Sequence, residues 1–527
     1  MKKFYDLFLN KCQNLFHYYN NNKHILIVDR GRYLQSIKAT LLTSYLNRKY
    51  KLDPLLLSDL RDNDLTTRIF YSLGIREKKI GFRYYLIFFR PIICLKSLIV
   101  TIKYLMKIKK KDFYWFIKNF KIEKVNFGDL VYDTYIRNDF SFLNPKIELK
   151  FINILFKSCC RIFYINQLFQ KKKITKVVLG TVCYSFNDGI VARIALNKKI
   201  DVLEMHNFNK IETHTIKKIK FGSLNLKRND LIKKVKQIKL TKKDLYNFLA
   251  KRFDRKIKTN FTSSKDLIAT NKNKINYSKD QLLKHVGQKN KKFKKIVLIA
   301  SHAFSDAPHG LGTEFIFSDY FEQLKQTLLF ISKNNNKNIL WLVRPNPTSN
   351  IYGETNIVEN LVRNLNIKNI KLTPKNISSI NLIRICDNVI TGRGTMGLEF
   401  ACFGKKPIFA GSATYSGLSF AKEINSKKKY FQQIIQLLKV KKLNNSDILL
   451  ALKSLYFLET NTSILFNRDP ENLIKSSIIK NISRTFDEIE SKSKKNQLNI
   501  FSKKLIKVLK LIYVNNENIF YEISKRI

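Results

Sequence analysis

Glycine, proline and cysteine are scarce in this chain, whose 527 residues include only 17, 9 and 7 of them. This scarcity excludes collagen-like and low-complexity chains, which are rich in glycine or proline. The cysteines are scattered and form no Cys-x-x-Cys pair, which excludes the common zinc-binding spacings and favours reduced thiols in a cytoplasmic compartment. With 44% hydrophobic residues, the chain is expected to fold into about two to four domains, each with its own core.

Acidic residues are also few, because 40 Asp and Glu stand against 98 Lys and Arg, for a formal net charge of +58. Such a charge favours anionic partners, among them nucleic acid, acidic lipid and nucleotide sugars. The abundance of Lys, Asn and Ile is also typical of an AT-rich genome, so part of the charge reflects codon usage. The chain has no recognisable DNA- or RNA-binding motif, and its basic residues are spread along its whole length. We therefore expect no specific nucleic-acid partner.

Long uncharged hydrophobic runs are missing as well. The most apolar stretch, residues 80–106, is interrupted by charged residues and a proline, whereas a spanning helix needs about 20 apolar residues. Both a basic amphipathic surface on anionic lipid and a helical hairpin packed on its own domain fit this stretch. Residues 1–19 lack the apolar core and the cleavage site of a secretory signal. We expect a cytoplasmic location, with peripheral contact to the anionic inner membrane left open.

Short apolar runs alternate with helical patterns in the first half of the chain. The pattern predicts strands at His24–Asp29, Lys176–Gly180 and Ile200–Glu204, and a helix at Asn187–Asn197. Residues 53–120 are predicted to be mainly helical and basic. The last two of these strands and the helix between them predict a β-α-β unit of a parallel sheet.

A second alternation begins at residue 295. Its predicted strands are Lys295–Ala300, Asn338–Val343, Ile370–Leu372, Asn388–Thr391 and Pro407–Ala410. Helical patterns lie between them, and the remainder of the chain is predicted to be helical. Two such halves predict an α/β, GT-B-like fold: two Rossmann-like domains facing a cleft, with extra helical segments and a helical C-terminal tail. Ligands of such folds bind in the cleft, at the carboxyl ends of the strands.

A glycine-rich turn follows the fourth of these strands, with Gly392, Gly394 and Gly397 leading into a predicted helix. Glycines permit tight turns and close approach of a ligand, and a helix N-terminus attracts phosphate or carboxylate. Thr395 adds a hydroxyl donor and Arg393 a planar fork for an oxyanion. The turn lies late in its predicted domain, which disfavours a dinucleotide fingerprint. An anion-binding loop is favoured over a purely structural turn.

Acidic and histidine side chains near the predicted strand ends are candidates for proton transfer or substrate orientation. These candidates are Asp306, His302, Asp188 and Asp133. Each has a structural alternative: loop capping for the first two, a helix cap for Asp188, and an ion pair with Arg137 for Asp133. Glu399, near the start of the helix after the glycine-rich turn, either accepts ribose or sugar hydroxyls or complements the helix dipole.

The segment after the glycine-rich turn resembles the donor-side segment of capsule polysaccharide biosynthesis glycosyltransferases, a group that includes the capsule Kdo transferases. The matching residues are Thr395, Gly397, Leu398, Glu399, Gly404, Pro407, Gly411, Tyr415, Gly417 and Leu418. Three further blocks, Phe127–Arg137, Gly189–Leu196 and Ser301–Pro308, resemble elements of the same group. Their order along the chain matches that of the group.

The resemblance implies a glycosyltransferase of bacterial capsule or surface polysaccharide synthesis. It implies a nucleotide-sugar donor, with CMP-Kdo as the first guess, and a glycan or glycolipid acceptor. Residues 1–285 would form the acceptor-side domain with a basic helical insertion, residues 286–425 the donor domain, and residues 426–527 a helical extension. The resemblance also implies donor contacts from the glycine-rich turn, Glu399 and Tyr415.

One departure from the family pattern concerns the segment after the second strand of the donor domain. The family commonly has Lys or Arg followed by Pro-His-Pro, whereas this chain has Arg344 and then Pro-Asn-Pro. The position that resemblance assigns to the donor phosphate is therefore Asn346, which donates a hydrogen bond but carries no charge. Arg344 is then the candidate source of positive charge.

No cofactor is expected beyond the nucleotide sugar as co-substrate. His302, Asp306 and His309 share one loop, but no further ligand at metal spacing accompanies them, so no metal site is expected. GT-B enzymes generally need no catalytic metal. Other functions remain open: a polyol-phosphate transferase or a sugar-nucleotide epimerase of the same fold, or a non-catalytic polysaccharide assembly or export factor.

Overall fold

The computed structural model describes most of the chain between residues 16 and 460. The described residues are 16–29, 50–59, 74–80, 90–137, 140–180, 183–207, 210–214, 235–253, 275–309, 315–334, 336–413 and 415–460, with the single positions 39, 43, 46, 47, 67, 70 and 71. The start of the N-terminal segment considered for a signal, and the part of the predicted helical tail beyond residue 460, lie outside the described residues.

The strands form two large sheets and one small hairpin. They are β1 (Lys23–Val28), β2 (Asp53–Ser58), β3 (Glu77–Ile80), β4 (Lys121–Ile122), β5 (Val125–Asn126), β6 (Lys173–Leu179), β7 (Asp201–Asn207), β8 (Lys210–His214), β9 (Lys295–Ala300), β10 (Ile339–Arg344), β11 (Ile370–Leu372), β12 (Asn388–Thr391) and β13 (Pro407–Phe409). Strands β4 and β5 pair with each other as the hairpin. The central strands of both large sheets are almost wholly buried, as expected where helices cover both faces.

Both large sheets have the strand order of a doubly wound fold. The first sheet runs β3-β2-β1-β6-β7-β8 and the second β11-β10-β9-β12-β13. Neighbouring strands are parallel except β7 and β8. The chain order reverses between β1 and β6, and again between β9 and β12. At such a switch point the loops leaving the carboxyl ends diverge and open a crevice.

Helices connect and cover the strands. They are α1 (Pro91–Lys110), α2 (Phe113–Asn119), α3 (Gly128–Ile136), α4 (Leu149–Lys171), α5 (Asn187–Asn197), α6 (Lys242–Phe253), α7 (Lys279–His285), α8 (Tyr320–Asn334), α9 (Ile357–Leu365), α10 (Ser379–Ile385), α11 (Thr395–Cys402), α12 (Lys427–Ile435) and α13 (Asn445–Thr460). Short 3₁₀ turns lie at Ser141–Leu143, Ser349–Tyr352 and Gln436–Lys439. Among the described residues, no helix is both long enough and apolar enough to cross a membrane.

Helix α3 joins the two sheets. The Tyr132 hydroxyl donates to Asp319 at 2.6 Å, and the backbone N–H of His309 donates to Asp133 at 3.2 Å. Beside these hydrogen bonds, the Phe142 ring packs against rings that lie beyond β9, with centroids 5.4 and 5.8 Å away. One continuous cluster of buried apolar side chains extends from the first sheet into the second. The two halves therefore share a packed, hydrogen-bonded interface.

The predicted α/β class with two Rossmann-like sheets is confirmed. The strand and helix pattern predicted for residues 295–410 matches β9 to β13 and the helices between them within one or two residues. Most of the described residues within 53–120 are helical, as predicted, but the prediction missed β2 and β3, which lie within this segment. Strand β2 is buried on both faces and so lacks alternation, and β3, of sequence EKKI, is a short polar edge strand.

The domain boundaries at residues 285/286 and 425/426 stay a prediction. Helix α6 lies before the first boundary, yet it packs against α11 and α13 in a cluster with Leu398 and Phe409. Helix α7 likewise packs its leucines under the second sheet. Helix α12, after the second boundary, places Tyr430 against α8, where its hydroxyl lies 2.8 Å from Thr327 Oγ1.

A buried ion pair joins Asp129 of α3 to Arg193 of α5 within the first domain. Arg193 donates to both carboxylate oxygens, at 2.7 and 3.3 Å. We expect Arg193→Met to lower the free energy of unfolding by about 3–5 kcal/mol, because it leaves a buried charge uncompensated. The double variant Asp129→Leu/Arg193→Met should lose less free energy of unfolding than Arg193→Met alone, because it leaves no uncompensated charge. Urea unfolding measures both.

The matched control for that pair is the partly exposed ion pair of Lys79 and Glu77, at 3.0 Å. Lys79→Met should change the free energy of unfolding by less than about 1 kcal/mol, because water screens such a pair and Glu77 keeps a second partner, Lys172, at 2.8 Å. An Arg193→Met protein as stable as the wild type would contradict a structural role for the buried pair.

Candidate active site

The carboxyl edge of the second sheet brings three loops together. The pairing register aligns Ala300 at the end of β9 with Thr391 of β12 on one side and with Arg344 of β10 on the other. The loop 301–309 and the turn 392–394 therefore leave the sheet side by side, at its switch point. The architecture places the predicted loop candidates and the glycine-rich turn in one location.

The glycine-rich turn leads directly into α11. Gly394 has extended dihedral angles and is the residue before the first helical one, Thr395. The Tyr415 hydroxyl donates to the Gly394 carbonyl at 2.6 Å and fastens the turn. Arg393, Gly394 and Thr395 are partly exposed. The first N–H groups of a helix have no partner within the helix, so this accessible end suits an anion.

Two glycines of the turn, Gly392 and Gly397, are required by packing. None of the three has a positive φ angle, so the turn does not use a left-handed backbone conformation. A Cβ on Gly392 would lie 2.9 Å from the Tyr320 ring, and one on Gly397 would lie 2.3 Å from the Phe409 ring. At Gly394 it would lie 3.2 Å from His302 Nε2. The close approach is made by protein side chains.

His302 lies at the centre of the cluster. Its ring stacks on Tyr320, with centroids 4.2 Å apart and planes 10° apart. Its Nε2 is buried and has no hydrogen-bond partner among the described residues. Burial and the nearby positive charge of Arg393 lower the pKa of His302 to about 4. The imidazole is therefore neutral at neutral pH, with one ring nitrogen unpartnered beside the glycine-rich turn.

Arg393 is held by protein atoms on two sides. Its Nε donates to the Tyr320 hydroxyl at 2.6 Å, and its Nη2 donates to the Ala307 carbonyl at 2.7 Å. The predicted oxyanion fork is thus already engaged, and its charge is fixed in place. Arg393 also ties the loop 301–309 to the glycine-rich turn.

Other contacts fix the loop 301–309. Both carboxylate oxygens of Glu354 accept backbone N–H groups, from Phe304 at 2.8 Å and from Ser305 at 2.7 Å. His309 Nε2 lies 2.6 Å from the Ser318 carbonyl, so this nitrogen carries the proton. The loop is pinned at its start by a buried carboxylate and at its end by a buried histidine.

The first domain contributes Tyr184 from the loop that follows β6. The Tyr184 hydroxyl lies 3.5 Å from Asp306 Oδ1, and Arg137 donates a hydrogen bond to that hydroxyl. The Arg137 guanidinium also lies 4.7 Å from the Tyr184 ring centroid. Tyr184 has a φ of 68°, a left-handed conformation that is unusual for a bulky residue and concentrates at functional sites. Asp306 thus faces groups from both sheets.

The two remaining acidic candidates are buried in the first domain. Asp133 accepts the His309 N–H, and Arg137 points at Tyr184, so the predicted Asp133–Arg137 pair is not the arrangement found. Asp188 is the second residue of α5, whose capping position is Phe186. Asp188 is therefore not the predicted cap residue, although its charge still complements the helix N-terminus.

The other donor-side candidates are engaged in structural contacts. Arg344 donates to Ser379 at 3.0 Å, and burial lowers its pKa to about 10, so it remains a cation. The Asn346 side-chain oxygen accepts from the backbone and hydroxyl of Thr348, at 2.8 and 2.7 Å, which forms a turn. The Glu399 carboxylate pairs with Arg252 of α6 at 2.6 Å and is nearly buried. These side chains fix the surroundings of the cluster.

The cluster contains residues that the sequence reasoning missed: Tyr184, Tyr320, Glu354, Asp319 and Tyr132. One signal was available for Tyr184, because it follows a predicted strand of the first sheet at the switch point. Among the described residues, no group of three His, Cys, Asp or Glu side chains could hold a metal ion. His302, Asp306 and His309 lie in one loop but have different partners.

No protein-family model matches this sequence, and no curated protein matches it either. Solved structures do resemble its fold. A β-Kdo 2,4 transferase, KpsC, of Thermosulfurimonas dismutans shares 11% identity over 55% of this chain and 85% of its own, with a TM-score of 0.30.

Two further solved structures show the same kind of likeness. The UDP-GlcNAc 2-epimerase of Neisseria meningitidis, bound to UDP-GlcNAc, shares 13% identity over 82% of this chain and 98% of its own, with a TM-score of 0.24. MurG of Acinetobacter baumannii shares 10% identity over 83% of this chain and 96% of its own, with a TM-score of 0.22. Similarity this low does not identify an activity, so the case for a function rests on this chain's own residues.

The buried His309 makes a pH-dependent contribution to stability. Burial lowers its pKa to about 4, whereas an unfolded histidine titrates near about 6.5. Between these values the unfolded chain binds the extra proton, so the free energy of unfolding falls as the pH falls from about 6.5 to about 4. His309→Gln keeps a hydrogen-bond donor for the Ser318 carbonyl. This variant should lose less free energy of unfolding than the wild type over the same pH interval, by on the order of 1–3 kcal/mol.

The measurement is the unfolding midpoint of the wild type and His309→Gln across this pH range. The control variant is His285→Gln, which removes an exposed histidine at the end of α7. Parallel profiles for the wild type and His309→Gln would show that His309 is not kept neutral by the fold.

Proposed function

We propose that this chain is a glycosyltransferase of bacterial capsule or surface polysaccharide synthesis. In this proposal it transfers a sugar from a nucleotide-sugar donor, with CMP-Kdo as the first guess, to a glycan or glycolipid acceptor. One observation carries the proposal: an accessible helix N-terminus with a fixed arginine lies beside a carboxylate that faces the other domain. The resemblance of residues 395–418 to capsule glycosyltransferases supports the same assignment.

The donor phosphates would bind at the glycine-rich turn. Glycosyl transfer builds negative charge on the departing nucleotide, which positive groups and dipoles stabilise. The free N–H groups at the start of α11, the Thr395 hydroxyl and the nearby charge of Arg393 provide these. His302 Nε2, buried and unpartnered among the described residues, would take a phosphate or sugar oxygen as its partner. No metal ion is needed in this arrangement.

Asp306 is the best candidate for the group that takes the acceptor proton. It is partly exposed, it lies in the loop beside His302, and the Tyr184 hydroxyl approaches it from the first domain at 3.5 Å. Asp133 is fully buried and holds the His309 N–H across the interface. A base must reach the acceptor hydroxyl, which favours Asp306 and gives Asp133 a positioning role.

Nucleotide binding tests the donor site. We expect one of CMP, CDP, UDP, GDP and ADP to raise the melting temperature selectively, in the presence of EDTA, because bound ligand stabilises the folded state. Thr395→Val removes a hydroxyl at nearly constant volume, and Arg393→Gln removes the fixed positive charge beside the turn. Each variant should weaken binding about tenfold or more.

The matched control for the nucleotide panel is Arg363→Gln, which removes an exposed positive charge on α9 that is not part of the turn. This variant should bind nucleotide as the wild type does. Equal shifts for all five nucleotides that vanish with added salt would contradict the proposal, because they would reflect the charge of +58 alone. A non-catalytic assembly factor would then be the better assignment.

Turnover tests the role of Asp306. With the donor that the panel selects and membrane lipid as acceptor source, Asp306→Asn should lower kcat about 10²- to 10⁴-fold, because a general base is lost. Donor affinity should stay the same. The control is Asp280→Asn, a change of an exposed carboxylate on α7. An unchanged kcat in Asp306→Asn would exclude this base, and turnover without any acceptor would indicate an epimerase.

A further inference from the structure

Helix α1 has apolar side chains on two opposite faces. The face that packs on the rest of the domain, including α2 and α4, consists of Ile93, Ser97, Thr101, Tyr104 and Ile108, all buried. The α1 stripe, as we name it, consists of Ile92, Leu95, Leu98, Ile99, Ile102 and Met106, with exposed fractions of 47–69%. At about 100° of rotation per residue, the stripe covers roughly a third of the helix circumference, directly opposite the buried face.

An exposed apolar stripe of this kind is unusual. A surface helix normally turns polar residues to water, and single exposed apolar residues need no explanation. Here six large apolar side chains line up along the outer face of one 20-residue helix. The stripe is therefore expected to contact something other than water.

The charged residues of α1 are all basic. Lys96, Lys103 and Lys107 run along one flank of the stripe, and Lys109 and Lys110 lie at the helix end. Helix α1 has no acidic residue. Lysine stems cover apolar surface while their ammonium groups reach outward, which is the arrangement of helices that lie on anionic lipid.

Helix α1 is firmly attached to the first domain. Arg90, just before it, donates to Gln167 of α4 at 2.5 Å and lies 4.8 Å from the Tyr164 ring centroid. In the middle of the helix, Thr101 Oγ1 lies 3.8 Å from Cys159 Sγ. The stripe is thus presented outward by a fixed scaffold, so binding it costs little ordering.

We propose that the α1 stripe inserts into the headgroup boundary of an anionic lipid bilayer, with the flanking lysines on lipid phosphates. The net charge of +58 favours this partner over a second copy of the chain, which it repels. The proposal does not depend on the activity proposed above. The stripe lies on α1 of the first domain and shares no residue with the glycine-rich turn.

Vesicle binding by the full chain tests the proposal. The probes are phosphatidylcholine vesicles with and without anionic phosphatidylglycerol, at roughly 0.15 M salt, followed by co-sedimentation. The wild type should bind the anionic vesicles and remain in the supernatant with the neutral ones. Leu95→Ser/Ile99→Ser/Ile102→Ser removes apolar surface at unchanged charge and should weaken binding about tenfold or more.

A second variant and a matched control separate lipid insertion from general charge. Lys96→Gln/Lys103→Gln/Lys107→Gln should reduce the preference for anionic vesicles. Ile435→Ser removes an apolar side chain of α12 that is 58% exposed and should bind as the wild type does. All these residues are exposed, so the variants should melt with the wild type.

Two outcomes would overturn the proposal. If the triple serine variant binds anionic vesicles as tightly as the wild type, the overall charge explains binding and the stripe does not. If the wild type instead forms a dimer in solution that the triple serine variant abolishes, the stripe is an interface between copies of this chain. Light scattering after size-exclusion chromatography measures the second outcome.

Discussion

Two hydrogen bonds across the interface set the geometry on which the whole site depends. Tyr132 Oη donates to Asp319 and the His309 N–H donates to Asp133, and both acceptors are fully buried carboxylates. A hydrogen bond to a charged group contributes about 1.5–3 kcal/mol, and a buried charge left without one costs more. Because consecutive residues of α3 make both bonds, the two sheets have one favoured relative position. The approach of Tyr184 to Asp306 follows from that position.

The cluster around His302 combines a fixed cation with a neutral imidazole. Arg393 is bound to Tyr320 and Ala307, so its charge acts through space rather than through a free fork. The same charge, together with burial, keeps His302 unprotonated. If an anionic donor binds as proposed, it offsets the charge of Arg393 and raises the pKa of His302. Donor binding and proton uptake would then be coupled at one ring nitrogen.

Most of the second sheet could be predicted from the sequence, because its strands are short apolar runs bounded by loops. The loop with His302 and Asp306 could also be located, because it leaves a strand at the switch point of this sheet. Strands β2 and β3 could not be predicted, since a fully buried strand lacks alternation and a polar edge strand lacks apolar residues. Tyr184 was missed because only the fold brings it to Asp306. Its conformation depends on Gly189, where a Cβ would lie 2.0 Å from the Tyr184 carbonyl oxygen.

The position of the glycine-rich turn could be predicted from the sequence, but the role of its glycines could not. The sequence suggested that they admit a ligand, whereas in the structure they admit protein side chains. Gly392 admits the ring of Tyr320, at the start of α8, and Gly397 admits the ring of Phe409, which brings α11 close against β13. A larger residue in place of Gly392 or Gly397 would push α11 away and separate its N-terminus from His302. The packing of uncharged rings thus determines where the positive end of the helix lies. Any anion site at this turn is therefore set by core packing as much as by charge.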